Sequence, residues 1–257
     1  MSEALALRVT GVSRSFGGVR AVDDCAFEVR QGTITGLIGP NGAGKSTMLN
    51  LLAGALKADN GSIHFHDQEI AGLPAFKIAR MGIARTFQLS SEFARLTVLE
   101  NLMVPPLRQR GDSVWAALAG PRVWMREERA HLATAWTLLE RFNLAPLARE
   151  YAGNLSGGQK RLLELARALQ LQPRLLLLDE PMAGVNPALI SQLADYIADL
   201  KQDGLTVVMV EHEMGTVERL CNPIIVMAQG RVLAEGSMAE IRANPAVVSA
   251  YLSGQRT

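Results

Sequence analysis

Gly39-Pro40-Asn41-Gly42-Ala43-Gly44-Lys45-Ser46-Thr47 satisfies every fixed position of G-x-x-x-x-G-K-[ST]. The apolar run Thr33–Ile38 before it reads as a strand, and Met48–Leu56 after it reads as a helix. That strand–loop–helix setting is what the motif requires. The glycines allow a tight turn in which successive N–H groups converge on one concavity, and the following helix adds its positive dipole end there. Such a loop cradles an anion. In this pattern Lys45 reaches the β- and γ-phosphates of a nucleotide, and Ser46 offers its hydroxyl to Mg²⁺.

Working outward, the run Leu175–Leu178 ends in Asp179-Glu180-Pro181, and Thr206–Val210 ends in Glu211-His212-Glu213. Unbroken apolar runs suit central strands of a parallel sheet buried on both faces, whose carboxyl ends are where open α/β sheets bind ligands. Beside a phosphate loop, Asp179 is expected to hold Mg²⁺ through water, and Glu180 to orient or deprotonate an attacking water. His212, at a third strand end on the same side, is expected near the γ-phosphate. Leu155-Ser156-Gly157-Gly158-Gln159 opens a helix over Lys160–Leu171, with Ser156 as N-cap and the glycines exposing N–H groups at the positive helix end. It is a second anion-binding device in one chain.

The N-terminal part reads as strands over Leu5–Val12, Ala26–Val29 and Ser62–His66. Phe16, in Ser15-Phe16-Gly17-Gly18, reads as an aromatic on a flexible loop, either stacking on a purine base or packing at an edge of the core. His64 and His66, two apart on one strand face, lack a nearby third ligand and read as solvent-facing. Helical spacing is expected over Pro74–Met81, a strand over Ile83–Phe87, and Gln88 stands at that strand's end. From Ser90 to about Ala152 helical spacing dominates, with candidates at Leu96–Val104, Ser113–Ala119 and Arg126–Phe142. Trp115, Trp124 and Trp136 in this stretch serve either inter-helix packing or a partner-binding face. Beyond Leu189–Lys201, read as a helix, Ile224–Met227, Arg231–Glu235 and Met238–Asn244 complete the sheet and add a surface helix.

Composition narrows the function class. A net charge of +1 over 257 residues gives no global field for nucleic acid, and none is expected as a partner. Cys25 and Cys221 lack metal-ligand spacing and read as free thiols. The N-terminus does not read as a signal peptide, and no apolar run approaches the roughly 18–20 residues that cross a bilayer. Any membrane role is therefore expected to run through a partner.

Taken together, Phe16, the phosphate loop, Gln88, Leu155–Gln159, Leu175–Glu180 and His212 resemble, in order and across essentially the whole chain, the ATP-binding subunit of ABC transporters. The resemblance implies an α/β fold: a P-loop NTPase with a RecA-like core (1–89 and 166–257), an N-terminal antiparallel β subdomain and an inserted helical subdomain (90–165). It implies an ATPase with ATP and Mg²⁺ as cofactors. Phe16 then belongs to the adenine-stacking loop, Gln88 contacts Mg²⁺ and water and links the site to a membrane-subunit helix, and His212 contacts the γ-phosphate. Two such subunits, identical or related, would meet head to tail, each ATP lying between one phosphate loop and the other subunit's Ser156-Gly157-Gly158-Gln159. Transmembrane permease subunits and, indirectly, a substrate-binding protein are the implied partners. The implied location is the cytoplasmic face of the inner membrane, with the subunit soluble when alone.

Gly72-Leu73-Pro74, Ile78–Gln88, Thr97-Val98-Leu99-Glu100-Asn101-Leu102 and the ending Asn244-Pro245–Leu252 are similar to the ATPases of branched-chain amino-acid importers. Urea or amide uptake, other amino acids and lipopolysaccharide export are the alternative cargoes, and a soluble non-transport ABC ATPase is the alternative class. One departure stands out: Asn186 occupies the place where the general family has an Asp facing the partner subunit, a feature the branched-chain branch shares.

Overall fold

The computed structural model describes residues 4–86, 93–104 and 121–253, without the side chains of 121–124, 188 and 253. The chain folds as two compact units: residues 1–85, 174–183 and 191–257 form the first, 86–173 and 184–190 the second.

In the first unit, the described strands form two sheets. One has four strands, β1 (Leu5–Phe16), β2 (Val19–Arg30), β4 (Asn60–Phe65) and β5 (Gln68–Glu69), in the order β2-β1-β4-β5. It is antiparallel throughout. The second has six: β3 (Ile34–Ile38), β6 (Ile83–Arg85), β7 (Leu175–Asp179), β8 (Thr206–Val210), β9 (Ile224–Ala228) and β10 (Arg231–Gly236), in the order β10-β9-β3-β8-β7-β6. Its strands are parallel except β10, which returns antiparallel along β9.

Every residue of β3, β7 and β8 is buried, which is why these strands show apolar runs rather than alternation. Helix α1 (Lys45–Leu52) buries Met48, Leu49 and Leu52 in a core shared with Val22 and Phe27 of β2 and Leu175 and Leu177 of β7. Leu177 is fully buried, so Leu177→Ala should lower unfolding free energy by about 2–5 kcal/mol. Urea unfolding followed by circular dichroism measures that loss.

Three readings of the sequence are corrected here. First, Phe16 is not on a flexible loop. It ends β1 and pairs with Val19 across the Gly17-Gly18 turn. The longer strands survive interruptions at Gly11 (φ 60°) and Asp24 (φ 50°), where the register shifts. Second, His66 does not share a strand face with His64. It leaves β4 at φ 50°, its Nδ1 lies 3.1 Å from Gln31 Nε2, and its ring lies against Phe65. Third, α1 begins at Lys45 and ends at Leu52, earlier at both ends than expected, because the left-handed Gly44 (φ 100°) sets the helix start.

The remaining helices of this unit are α2 (Ala75–Met81), the later part of α6 (Pro187–Gln202), α7 (Met214–Leu220), α8 (Met238–Ala243) and α9 (Pro245–Ser253). Neither α7 nor α9 is legible from apolar spacing. An unusual N-cap starts α7: the Glu213 carboxylate accepts from the N–H groups of Gly215 (3.0 Å) and Thr216 (2.6 Å). A side-chain bond with Thr216 first, and these backbone bonds after it, hold its pKa below the ordinary carboxylate value.

The second unit is helical, built on α3 (Val98–Met103), α4 (Pro121–Arg141) and α5 (Gly157–Gln170). A capping box of Thr97 with Glu100 starts α3, and buried Asn101 donates to the carbonyls of Phe93, Leu96 and Thr97. The helix expected over Ser113–Ala119, with Trp115, lies outside the described residues, as does the Trp124 side chain. Trp136 is 40% exposed, with the rest of its surface covered. No described helix is long and apolar enough to cross a membrane.

Candidate functional site: a phosphate loop facing a buried aspartate

The loop from Gly39 to Gly44 joins β3 to α1, and two of its glycines are fixed by close approach. A Cβ on Gly39 would lie 2.0 Å from the Met227 carbonyl oxygen, and one on Gly44 2.2 Å from that of Ala21. Between them Ala43 is buried, its N–H donating to Pro40 O, while Asn41 and Gly42 are exposed. No side chain caps α1. Its first-turn N–H groups therefore stay available, with the positive end of the dipole, to an anion on the loop.

Lys45 is buried at 6% exposure, and its ammonium donates to the carbonyls of Gly39 (2.9 Å) and Pro40 (3.0 Å). Burial pushes its pKa down, while the charges of Glu180 and Asp179 hold it up. The ammonium thus lies within electrostatic reach of both acids. Ser46 is exposed in the first turn of α1, and Thr47 follows it, half-buried.

Asp179 ends β7 at 3% exposure, and its Oδ2 accepts from Arg85 Nη2 at 2.8 Å. Arg85 also donates to Asn50 Oδ1 (2.6 Å), and Asn50 donates to the Ser46 carbonyl (2.8 Å). The other Asp179 oxygen, Oδ1, is buried without a hydrogen-bond partner among the described residues. A buried carboxylate oxygen left this way is costly, and a hydrated hard cation would satisfy it. The donor set, carboxylate and hydroxyl oxygens, suits Mg²⁺.

Glu180 follows in the left-handed region (φ 47°), a conformation that costs a non-glycine residue about 1–2 kcal/mol. Its N–H donates to Val210 O at 2.9 Å, which fastens it to the end of β8. His212 Nε2 lies 3.0 Å from Glu180 Oε1, both side chains partly exposed. The structure therefore brings Lys45, Asp179, Glu180 and His212 together at the carboxyl ends of three adjacent parallel strands.

Phe16 is 44% exposed and carries the Arg14 guanidinium 5.0 Å from its ring centre, with Arg14 itself paired to Asp59. Phe16 thus ends β1 with much of its ring exposed, and both readings left open for it stand. Gln88 lies outside the described residues.

In the helical unit, the Ser156 hydroxyl accepts from the Gln159 N–H (3.3 Å), and Gln159 Oε1 accepts from the Ser156 N–H (2.9 Å). This capping box starts α5 at Gly157, three residues before the expected helix. Ser156 and Gly157 are exposed, whereas a Cβ on Gly158 would lie 2.2 Å from Leu189 Cδ1. Asn186 is exposed, and its carbonyl accepts from the N–H groups of Leu189 and Ile190.

Sequence reasoning overlooked Arg85, Asn50 and Glu211. Arg85 had a usable signal, a lone cation at the carboxyl end of a strand in a sheet that binds its ligand there.

A glycine-rich loop opening an uncapped helix, set against a buried aspartate at the end of the neighbouring strands, defines a P-loop nucleotide-binding fold. Comparison with known proteins narrows the class. Residues 22–183 match the family model described as ABC transporter, and residues 231–252 the model described as branched-chain amino acid ATP-binding cassette transporter. The chain belongs to the ABC transporter family, as an ATP-binding subunit. It is 39% identical over 249 residues to the probable branched-chain amino acid transport ATP-binding protein LivG of Archaeoglobus fulgidus, spanning 97% of this chain and 96% of that protein. It is 42% identical over 253 residues to the high-affinity branched-chain amino acid transport ATP-binding protein LivG of Escherichia coli (strain K12), spanning 98% and 99%. Among solved structures, a nucleotide-free ATP-binding cassette from an ABC transporter superposes with a TM-score of 0.84 at 33% identity, covering 96% of this chain and 98% of that one.

Proposed function

We propose that this chain hydrolyses ATP as the motor subunit of an importer for branched-chain amino acids. The observation that carries the proposal is the Lys45–Asp179–Glu180–His212 constellation around an uncapped helix start. The cargo assignment rests on what the relatives' names say of them and on the match at residues 231–252. Those two likenesses favour branched-chain amino acids over urea, amides or lipopolysaccharide.

In this reading the loop N–H groups and Lys45 hold the β- and γ-phosphates, and Phe16 offers an exposed aromatic face to adenine. Asp179 and Ser46, with Gln88, hold Mg²⁺, which when bound neutralises charge on the phosphate oxygens. Glu180 accepts a proton from the attacking water, and His212 holds the carboxylate through Nε2 while facing the γ-phosphate. Most of the acceleration comes from fixed charges and dipoles around the phosphates.

Ser156, Gly157, Gly158 and Gln159 serve the nucleotide of a second ATP-binding subunit paired head to tail, identical or related, and ATP closes the pair. That closure moves transmembrane permease subunits supplied by a substrate-binding protein, and the permease holds the chain at the cytoplasmic face of the membrane.

Light scattering on Glu180→Gln with and without ATP tests this. A dimer that forms only with ATP is the expected result. Failure to bind ATP would overturn the reading, and a monomer that binds ATP would overturn self-pairing.

A further inference from the structure

The residue before His212 makes contacts that neither the phosphate loop nor the nucleotide explains. Glu211 is buried at 3% exposure immediately after β8, and both of its carboxylate oxygens are engaged by backbone. Oε1 accepts the Met182 N–H at 2.8 Å, and Oε2 accepts the His212 N–H at 3.0 Å. Met182 lies two residues past Glu180, the residue held at φ 47°. On that short segment the Glu180 N–H goes to Val210 O (2.9 Å), and the Ala183 N–H returns to Glu180 O (3.1 Å). With His212 Nε2 3.0 Å from Glu180 Oε1, the bonds close a ring: Glu180, Met182, Glu211, His212 and back.

We propose that Glu211 is a positioning residue that fixes the Glu180–His212 pair by tying the two backbone segments carrying it to one buried carboxylate. This rests on the reading of Glu180 and His212 as the groups that act on water and γ-phosphate.

The chemistry asks for a carboxylate at this place. Two N–H donors arrive from different segments, and an ionised carboxylate is an acceptor at both oxygens. A buried carboxylate is costly to desolvate, and two charge-assisted bonds to backbone N–H groups offset that cost. The Cys221 thiol, which feels the Glu211 charge, is pushed up to about 12, by burial first and by that charge second, and stays protonated. In Glu211→Gln one oxygen becomes an NH₂ group that meets a backbone N–H donor to donor. Either Met182 or His212 then loses its acceptor, and the ring opens at that point. The left-handed turn at Glu180 loses a restraint, and its carboxylate leaves the geometry it shares with His212.

The test measures ATP turnover, KM and the Kd for a non-hydrolysable ATP analogue, in the full chain, for wild type, Glu180→Gln, Glu211→Gln and the double variant. Glu211→Gln is expected to lower kcat about tenfold to a hundredfold, the scale of a catalytic group displaced by roughly an ångström. The analogue Kd should stay within about threefold, since the phosphate loop is untouched. In the Glu180→Gln background the second substitution should cost almost nothing further, because the group it positions is already gone. Unchanged kcat in Glu211→Gln, with Glu180→Gln inactive, overturns this inference alone. A fall in kcat matched by the fall in affinity, or repeated in full in the double variant, also overturns it, since that is general loosening. Wild-type turnover in Glu180→Gln overturns the parent reading and this inference with it. Glu211→Asp, which keeps the charge and shortens the reach to Met182 by one methylene, supplies the same comparison if Glu211→Gln does not fold.

Discussion

Glu180→Gln is expected to cut steady-state ATP turnover by roughly 10² to 10⁴-fold, the range supplied by a positioned general base. Nucleotide affinity should hold or rise. The substitution keeps the shape of the side chain, and the amide oxygen can still face His212 Nε2, now 3.0 Å from the carboxylate. It removes a negative charge from the neighbourhood of Lys45, whose ammonium feels both Glu180 and Asp179. A polyanion arriving there meets less repulsion. Phosphate release against ATP concentration, with calorimetric binding of ATP, separates the two effects. Turnover like that of the wild type would remove Glu180 from the role of base.

Lys45→Ala should act on binding instead. The ammonium is buried at 6% exposure and aimed into the loop by the carbonyls of Gly39 and Pro40. A charge-assisted contact to a phosphate of about 1.5–3 kcal/mol corresponds to a loss of roughly 10 to 200-fold in affinity. Fold stability should change little, since desolvation of the ammonium is relieved as its two carbonyl bonds are lost. Calorimetric titration with ATP reads the affinity, and an unchanged Kd would contradict the phosphate-loop assignment. The two variants thus separate chemistry from binding within one site.

Much of this site was legible because its parts are local. The phosphate loop is nine consecutive residues, and β7 and β8 are unbroken apolar runs that end on the residues of interest. The Ser156 cap was readable for the same reason, although Gln159 closing the box shifted the helix start. Non-local pairings were not readable. Arg85 meets Asp179 across 94 positions of sequence, and Glu211 reaches Met182 across 29. In sequence Arg85 is a lone cation closing one strand and Glu211 one of two acids after another, and neither shows its partner. The end of β1 at Phe16 reads as a loop because Gly17-Gly18 follows it, and the bulges at Gly11 and Asp24 break the alternation that would extend the strands. Helix α7 was missed because Glu213, a rare N-cap, hides its start.

The wholly buried strands have a second consequence, felt before the chain is folded. Leu175–Leu178 and Val207–Val210 are uncharged, proline-free and rich in residues that pair as cross-β segments, so an unfolded chain carries sticky stretches there. Each is bounded by charge: Arg174 before and Asp179-Glu180 after the first, Glu211 after the second. Flanking charges of this kind act as gatekeepers against aggregation. The acids that serve the folded site therefore also guard the unfolded chain, and neutralising Glu180 or Glu211 weakens both protections at once. Chemistry and solubility are written into the same few carboxylates.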